Sequence, residues 1–282
     1  MRLHTGIVTA ITDIRSGVVL LDMYAPELAR TVQPGQFCMV RCTPPSMTDP
    51  LLRRPYFIHS IKRERGICSL LVHVQGRGSA WLANQREGAE LDLLGPLGHG
   101  WHIRQTTRNL LLLTEECGLS AMTQLIQHAL ELELAITLIN IAPSLEASYP
   151  PALLPPEVEY HVITDAMQLP SIESNASTSH EGNRKRRKKK SARQTESESP
   201  LITLLADLLP WADAICCNVS HETLRTLSHR FDGFHERHFA QAVFAQPLVC
   251  GTGICFACSI DTISGQQLVC KDGPVFDVRE LS

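Results

Sequence analysis

Four cysteines crowd into the final 33 residues of this 282-residue chain, at Cys250, Cys255, Cys258 and Cys270. Their spacing is C-x4-C-x2-C, then eleven residues before the fourth, with Gly251 and Gly253 inside the first interval. A segment this short cannot build a core of its own, so its fold depends on what the thiols bind. Glycines at those two positions can take positive φ without a Cβ clash, which lets a loop wrap tightly round an inorganic centre. Backbone N–H groups then turn towards the sulfurs. The first three cysteines match the spacing of a [2Fe–2S] loop, and all four are the expected metal ligands. Zinc is the competing reading, but zinc sites usually use two short C-x2-C pairs and only one is present. Cys216 and Cys217 could also approach as the fourth ligand; Cys270 is preferred because it lies in the same module. Cys38, Cys42, Cys68 and Cys117 read as ordinary core or surface thiols.

Ten cysteines in a short secreted chain would imply disulfides. Four of them gathered at close, uneven spacing favour metal ligation in a reducing compartment instead. The N-terminal Met1–Gly6 leads into a strand-like stretch without an apolar signal core, and no run of 18 apolar residues follows. The expectation is a soluble, cytoplasmic protein with no membrane partner.

The net charge of −3 conceals an asymmetry. Eight of the 26 basic and four of the 29 acidic residues fall between Ser171 and Pro200, which leaves 18 against 25 elsewhere. An acidic body argues against a nucleic-acid partner. The Ser171–Pro200 stretch holds the unbroken run Arg184–Lys190 and no aromatic residue. It cannot bury enough surface to offset its ordering entropy, so a disordered basic insertion is expected there, read as a solvated loop.

Outside the insertion and the cysteine module the texture divides in two. Short strand-like runs at Gly6–Ile11, Val18–Asp22, Gln36–Arg41, Tyr56–Ile61, Ser69–Val74 and Glu90–Leu94, punctuated by Pro34-Gly35 and Gly95-Pro-Leu-Gly98, suggest a small antiparallel barrel. From Asn109 a continuous apolar run, Leu110–Leu113, leads to a helix-like stretch, Ser120–Leu132, and further strands at Ala135–Ile141, Glu159–Ile163 and Asp213–Cys217. That alternation argues for a parallel α/β sheet. The fold class expected is therefore α+β multidomain: an antiparallel β-barrel over 1–103, an α/β domain over 104–240 with the insertion at about 171–200, and a cluster module over 241–282.

Asp49-Pro-Leu-Leu-Arg-Arg-Pro55, Gly95-Pro-Leu-Gly98 and Val269-Cys-Lys-Asp-Gly-Pro-Val-Phe276 together resemble the electron-transfer subunit of NAD-dependent dihydroorotate dehydrogenase. That family belongs to the ferredoxin-reductase-like flavoproteins, and the resemblance spans nearly the whole chain. It implies an FAD-binding barrel, a nicotinamide-binding α/β domain, a C-terminal [2Fe–2S] module and a catalytic partner subunit in a hetero-oligomer serving pyrimidine biosynthesis.

An Arg-Pro-x-Ser segment holds FAD in that family, with the arginine facing the pyrophosphate through a guanidinium fork. Arg54 and Pro55 match, Tyr56 takes the variable position among the expected flavin contacts, and Phe57 stands where serine is expected. A Gly-Lys-Gly-Thr element resembles Gly76-Arg77-Gly78-Ser79; its glycines would let backbone approach phosphate, with Ser79 donating to it. The family's glycine-rich nicotinamide turn corresponds to Thr114-Glu115-Glu116-Cys117-Gly118. Two carboxylates where a pyrophosphate would sit argue against NAD(P)H binding. The later Cys-Gly-x-x-Pro element corresponds to Cys216-Cys217-Asn218-Val219-Ser220, without its glycine and proline.

No H-x-x-x-H, H-E-x-x-H or Gly-x-Ser-x-Gly arrangement occurs, so neither a catalytic metal site nor hydrolysis is expected. His59 reads as a polar strand residue facing solvent. The function expected is electron transfer between FAD, the cluster and a partner oxidoreductase; no residue is assigned as catalytic. The alternative is a non-enzymatic, metal-stabilised scaffold that uses the basic loop for an acidic partner.

Overall fold

The computed structural model describes residues 1–164, 199–231, 233 and 236–281. The expected insertion and its basic run Arg184–Lys190 lie outside the described residues, apart from Ser199 and Pro200. Pro200 opens a helix, where its fixed φ suits the first turn.

Seven strands form one antiparallel sheet: β1 (Arg2–Arg15), β2 (Val18–Tyr24), β3 (Phe37–Val40), β4 (Arg54–Phe57), β5 (Ser60–Lys62), β6 (Ile67–His73) and β7 (Glu90–Leu97), in the order β4-β3-β7-β1-β2-β6-β5. Alternate apolar positions, among them Val8, Leu21, Met23, Val40, Leu70 and Leu91, face one core with α1 (Pro26–Thr31). The period-2 pattern that marks these runs in the sequence is the cause, since successive side chains leave a strand on opposite faces. The curled sheet is not closed by a ladder. Its edge strands β4 and β5 are consecutive in the chain, and the two-residue corner Ile58-His59 joins them.

The second sheet has the order β10-β9-β8-β11-β12-β15. Five parallel strands, β8 (Asn109–Glu115), β9 (Ala135–Ala142), β10 (Val158–Thr164), β11 (Ala214–Asn218) and β12 (Ala240–Val243), are followed by antiparallel β15 (Val275–Asp277). Both faces are covered. Leu110 and Leu112 pack with α3 (Thr123–Glu131), while Leu111 and Leu113 pack with α4 (Pro200–Leu208) and α5 (His221–Phe231). That two-sided burial is why this strand reads as an unbroken apolar run. Two members of the sheet reach past the boundary expected at residue 240: β12 crosses it, and β15 comes from within the cysteine module. Between them β13 (Ser259–Thr262) and β14 (Gly265–Leu268) form a hairpin.

His59 corrects the expectation made for it. It is 3% exposed, not solvent-facing, because the corner it occupies is pressed against the second sheet's domain. Its Nδ1 lies 3.3 Å from Thr123 Oγ1 and its Nε2 3.3 Å from the Tyr149 hydroxyl. Burial, with a smaller push from His73, brings its pKa down to about 4. The unfolded chain therefore binds a proton here between about pH 6.5 and 4 that the folded chain does not, so stability falls as pH drops through that window. A denaturation series in pH should show roughly 3 kcal/mol lost by pH 4 from this residue, and His59→Asn should flatten that part of the curve. An unchanged slope in the variant would remove His59 as the cause.

Candidate functional site

Two regions gather the residues singled out by the sequence. The first is a cleft of about 470 Å³ beside β4, lined by Arg54, Pro55, Tyr56 and Phe57 from the strand and by Gly76, Arg77, Gly78 and Ser79 at the start of α2 (Arg77–Ala83). All six residues expected at a flavin meet here. Its size falls within the range of small-molecule sites. His73, Gln75 and Ser120 also line it; they sit in no motif, and only the fold brings them there.

Arg54 and Arg77 line the cleft, and with Arg53, which precedes the strand, they are in different states. Arg53 pairs with Asp92 at 2.6 Å, and Arg77 with Asp49 at 2.6 Å. Arg54 makes no ion pair among the described residues; its Nη1 donates to the carbonyls of Leu52 (3.1 Å) and Arg53 (3.4 Å). A guanidinium on the cleft rim with no carboxylate partner is suited to a phosphate group. Ser79 is less available than expected. Its Oγ accepts from the N–H groups of Gln75 and Gly76 and donates to the Gly76 carbonyl, so the hydroxyl is spent on capping its own short helix. Gly78 is needed for packing: a Cβ there would lie 3.2 Å from Cys42 Cβ. Burial raises the Tyr56 phenol well above its ordinary range, so it lines the cleft as a neutral hydroxyl.

The second region is the cysteine module. Cys250 Sγ lies 3.2 Å from Cys255 Sγ, and Cys258 Sγ lies 3.3 Å from Cys270 Sγ. Both separations are far longer than a disulfide bond of about 2 Å. The thiols thus form two pairs, and no group of three metal-binding side chains converges on one point among the described residues. A single zinc ion needs four ligands in one tetrahedron. A binuclear cluster needs two cysteines on each iron, which is the division seen here.

Backbone geometry supports the thiols. Gly251 and Gly253 have φ of 71° and 81°, the left-handed region glycine enters freely. The N–H of Thr252 points at Cys250 Sγ (3.4 Å) and that of Cys270 at Cys258 Sγ (3.5 Å). Burial works against the Cys250 thiolate, but hydrogen bonds from the Thr252 and Cys255 backbones and the Thr252 hydroxyl outweigh it and bring the pKa to about 5. Burial, then the adjacent Cys258, pushes Cys270 up to about 12. The remaining thiols are elsewhere. Cys216 and Cys217 leave β11 on opposite faces of the sheet, in two different cores, so they do not act as a pair. Cys38, Cys42 and Cys68 are buried in the first sheet's core; the side chain of Cys117 lies outside the description.

The two regions touch. Cys258, Leu268, Val269, Cys270 and Phe276 share a buried core with Phe37, Met39 and Leu97 of the first sheet, and Phe57 packs against it. Phe57 also lines the cleft and meets the Phe37 ring edge-on at 6.4 Å. The side chain that replaces the expected serine therefore stands between cleft and cysteine module. At the loop itself, a Cβ on Gly251 would lie 2.5 Å from Met39 Cγ.

Comparison with known proteins agrees with this layout. The sequence profile of the iron–sulfur cluster binding domain of dihydroorotate dehydrogenase B matches residues 246–282. The dihydroorotate dehydrogenase B (NAD(+)) electron transfer subunit of Listeria monocytogenes serotype 4b is 27% identical over 261 residues, covering 91% of this chain and 90% of that protein. The chain is thus similar to that subunit over nearly its whole length. The subunit of the same name from Desulforamulus reducens is 32% identical over 130 residues, a match that covers 46% of this chain and spans about half (49%) of the relative. Among solved structures, the NADH-dependent reduced ferredoxin-NADP oxidoreductase superposes with a TM-score of 0.73 at 18% identity over 98% of this chain and 89% of that one. Phthalate dioxygenase reductase gives 0.58 at 12% identity, over 84% and 66%. The fold is thus ferredoxin-reductase-like, and no helix among the described residues is long and apolar enough to cross a membrane.

Proposed function

We propose that this chain is an electron-transfer subunit that holds FAD in the cleft beside β4 and a [2Fe–2S] cluster on Cys250, Cys255, Cys258 and Cys270. The observation that carries the reading is the sorting of four thiols into two pairs, on a loop whose core is continuous with the wall of the cleft. The flavin and cluster would supply the redox chemistry, one exchanging two electrons and the other single electrons. The chain's own part is positional. Arg54 would face the pyrophosphate, the Gly76–Gly78 backbone would admit it, and Phe57, which lines the cleft and packs against the core of the cysteine module, would exclude water there. Thr252 and Cys270 N–H groups would tune the sulfurs. In this reading residues 1–103 form the flavin domain, 104–240 the α/β domain and 241–282 the cluster module, which lends β15 to its neighbour's sheet.

The partner we propose is a catalytic subunit of dihydroorotate dehydrogenase type, in cytoplasmic pyrimidine biosynthesis. Ile254 and Phe256, on either side of Cys255, are 79% and 63% exposed, and Phe256 is held at φ 58°. Large apolar side chains displayed beside an exposed thiol suit a protein interface close to the cluster.

Anaerobic purification followed by a visible spectrum and iron, sulfide and flavin quantification tests the reading. Expected are flavin and iron–sulfur bands with about two irons per chain, and Arg54→Ala should lose flavin while keeping iron. A colourless zinc protein would overturn it.

A further inference from the structure

In an open α/β sheet, ligands bind at the carboxyl ends of the strands where the strand order reverses. Here that point lies between β8 and β11: from β8 the chain adds β9 and β10 on one side, then β11 and β12 on the other. The crevice is bridged by Glu115, the last residue of β8. Its carboxylate accepts from the Ser220 N–H (2.6 Å), the Ser220 hydroxyl (3.3 Å) and the Thr223 hydroxyl. These donors stand at the start of α5 (His221–Phe231), where N–H groups and the helix dipole favour a negative charge. The turn behind Glu115 is packed shut. Asn218 Nδ2 donates to the Gly118 carbonyl at 2.6 Å, and a Cβ on Gly118 would lie 2.5 Å from both Asn218 O and Thr114 Oγ1. Glu116 is held at φ 38°, a conformation that costs a non-glycine residue strain.

We propose that Glu115 is a specificity-determining residue: its carboxylate occupies the anion position at the switch point and so excludes the phosphates of nicotinamide dinucleotides. This rests on the electron-transfer reading above and deepens it, because electrons must then enter or leave through a carrier that does not dock a diphosphate in this crevice. The acidic side chain does more than repel. It is internally satisfied by three donors, so a ligand would have to break those bonds before meeting the like charge of Glu116.

The test is calorimetric titration of ADP-ribose, which carries the diphosphate but no redox chemistry, into the purified chain and its Glu115→Gly and Glu115→Gln variants. Binding is read separately from the visible spectrum, so failure of the flavin and cluster reading would be seen independently. Wild type is expected to show no binding at micromolar concentrations, and Glu115→Gly to bind at least ten-fold more tightly. Glu115→Gln, which keeps the turn's acceptor and loses the charge, guards against a glycine variant that misfolds and should show a smaller gain. Micromolar binding by wild type, or no gain in a variant that melts like wild type, would overturn the proposal.

Discussion

Cys258→Ser and Cys255→Ser are both expected to purify with iron near zero and without the iron–sulfur bands, yet to differ in stability. Both remove one ligand from a four-cysteine set, and a cluster that needs two thiolates on each iron does not survive it. Their surroundings differ. Cys255 is exposed, whereas Cys258 is 2% exposed and belongs to the core shared with Phe37 and Met39. A serine at 258 buries a hydroxyl in a largely apolar core, with a shorter reach to the Cys270 N–H than the sulfur has, which costs roughly 1–3 kcal/mol if that contact is lost. Cys258→Ser should therefore melt lower than Cys255→Ser even though both lack the metal. Full iron with an unchanged visible spectrum in either variant would remove that cysteine from the ligand set, since a serine oxygen that took its place on iron would shift the bands. Equal melting points would show that the module does not share its core with the first sheet.

Gly98→Ala is expected to lever the cysteine module off the sheet it rests on. Gly98 has φ 74°, and a Cβ there would lie 2.5 Å from Pro274 Cδ and 2.6 Å from the Gly273 carbonyl oxygen. The neighbouring His99 N–H donates to that same carbonyl at 2.6 Å, so neither side can move without breaking the contact that joins them. Left-handed strain and a backbone collision together should cost on the order of 3 kcal/mol or more. Gly88→Ala is the control: its φ is 83°, but nothing lies within 4 Å of the added atom, leaving strain alone at roughly 1 kcal/mol. Thermal denaturation should rank wild type above Gly88→Ala and Gly88→Ala above Gly98→Ala. In the last variant, hydrogen exchange should rise first around Val269–Phe276. Matching curves for the two variants would show that the junction does not constrain the module.

Much of this was legible in the chain, for reasons that differ from place to place. The four cysteines proposed as ligands stand out in the sequence because ligand spacing is a local property of a short loop. The strands of both sheets could be read where burial imposes a period, as in Val18–Tyr24, or a continuous run, as in Leu110–Leu113. The site at β4 was legible only in part. Arg54 and Gly78 announce themselves by residue type, but His73 and Ser120 reach the cleft through tertiary placement, which leaves no local signal. Ser79, expected to donate to a flavin phosphate, lines the cleft, but its hydroxyl serves the helix it starts. His59 was misread because one polar residue between Ile58 and Ser60 looks like a solvent-facing strand position; the corner that buries it depends on a second domain arriving from more than sixty residues away. β15 escaped for the same reason, since three residues carry no period and pair with a strand thirty residues earlier.

That late pairing orders events along the growing chain. β12 ends at Val243 and its neighbour β15 begins at Val275, so all four cysteines lie within the connection that closes when those two strands meet. Until β15 has left the ribosome, the Gln241–Val243 side of the sheet is an unpaired edge, open to the wrong strand. Closing a loop of that length costs entropy, and a metal centre that gathers the thiols within it shortens the search. Gathering the thiols therefore favours the antiparallel pairing of β15 with β12, so the segment that carries the cysteines also caps the edge of the parallel strands.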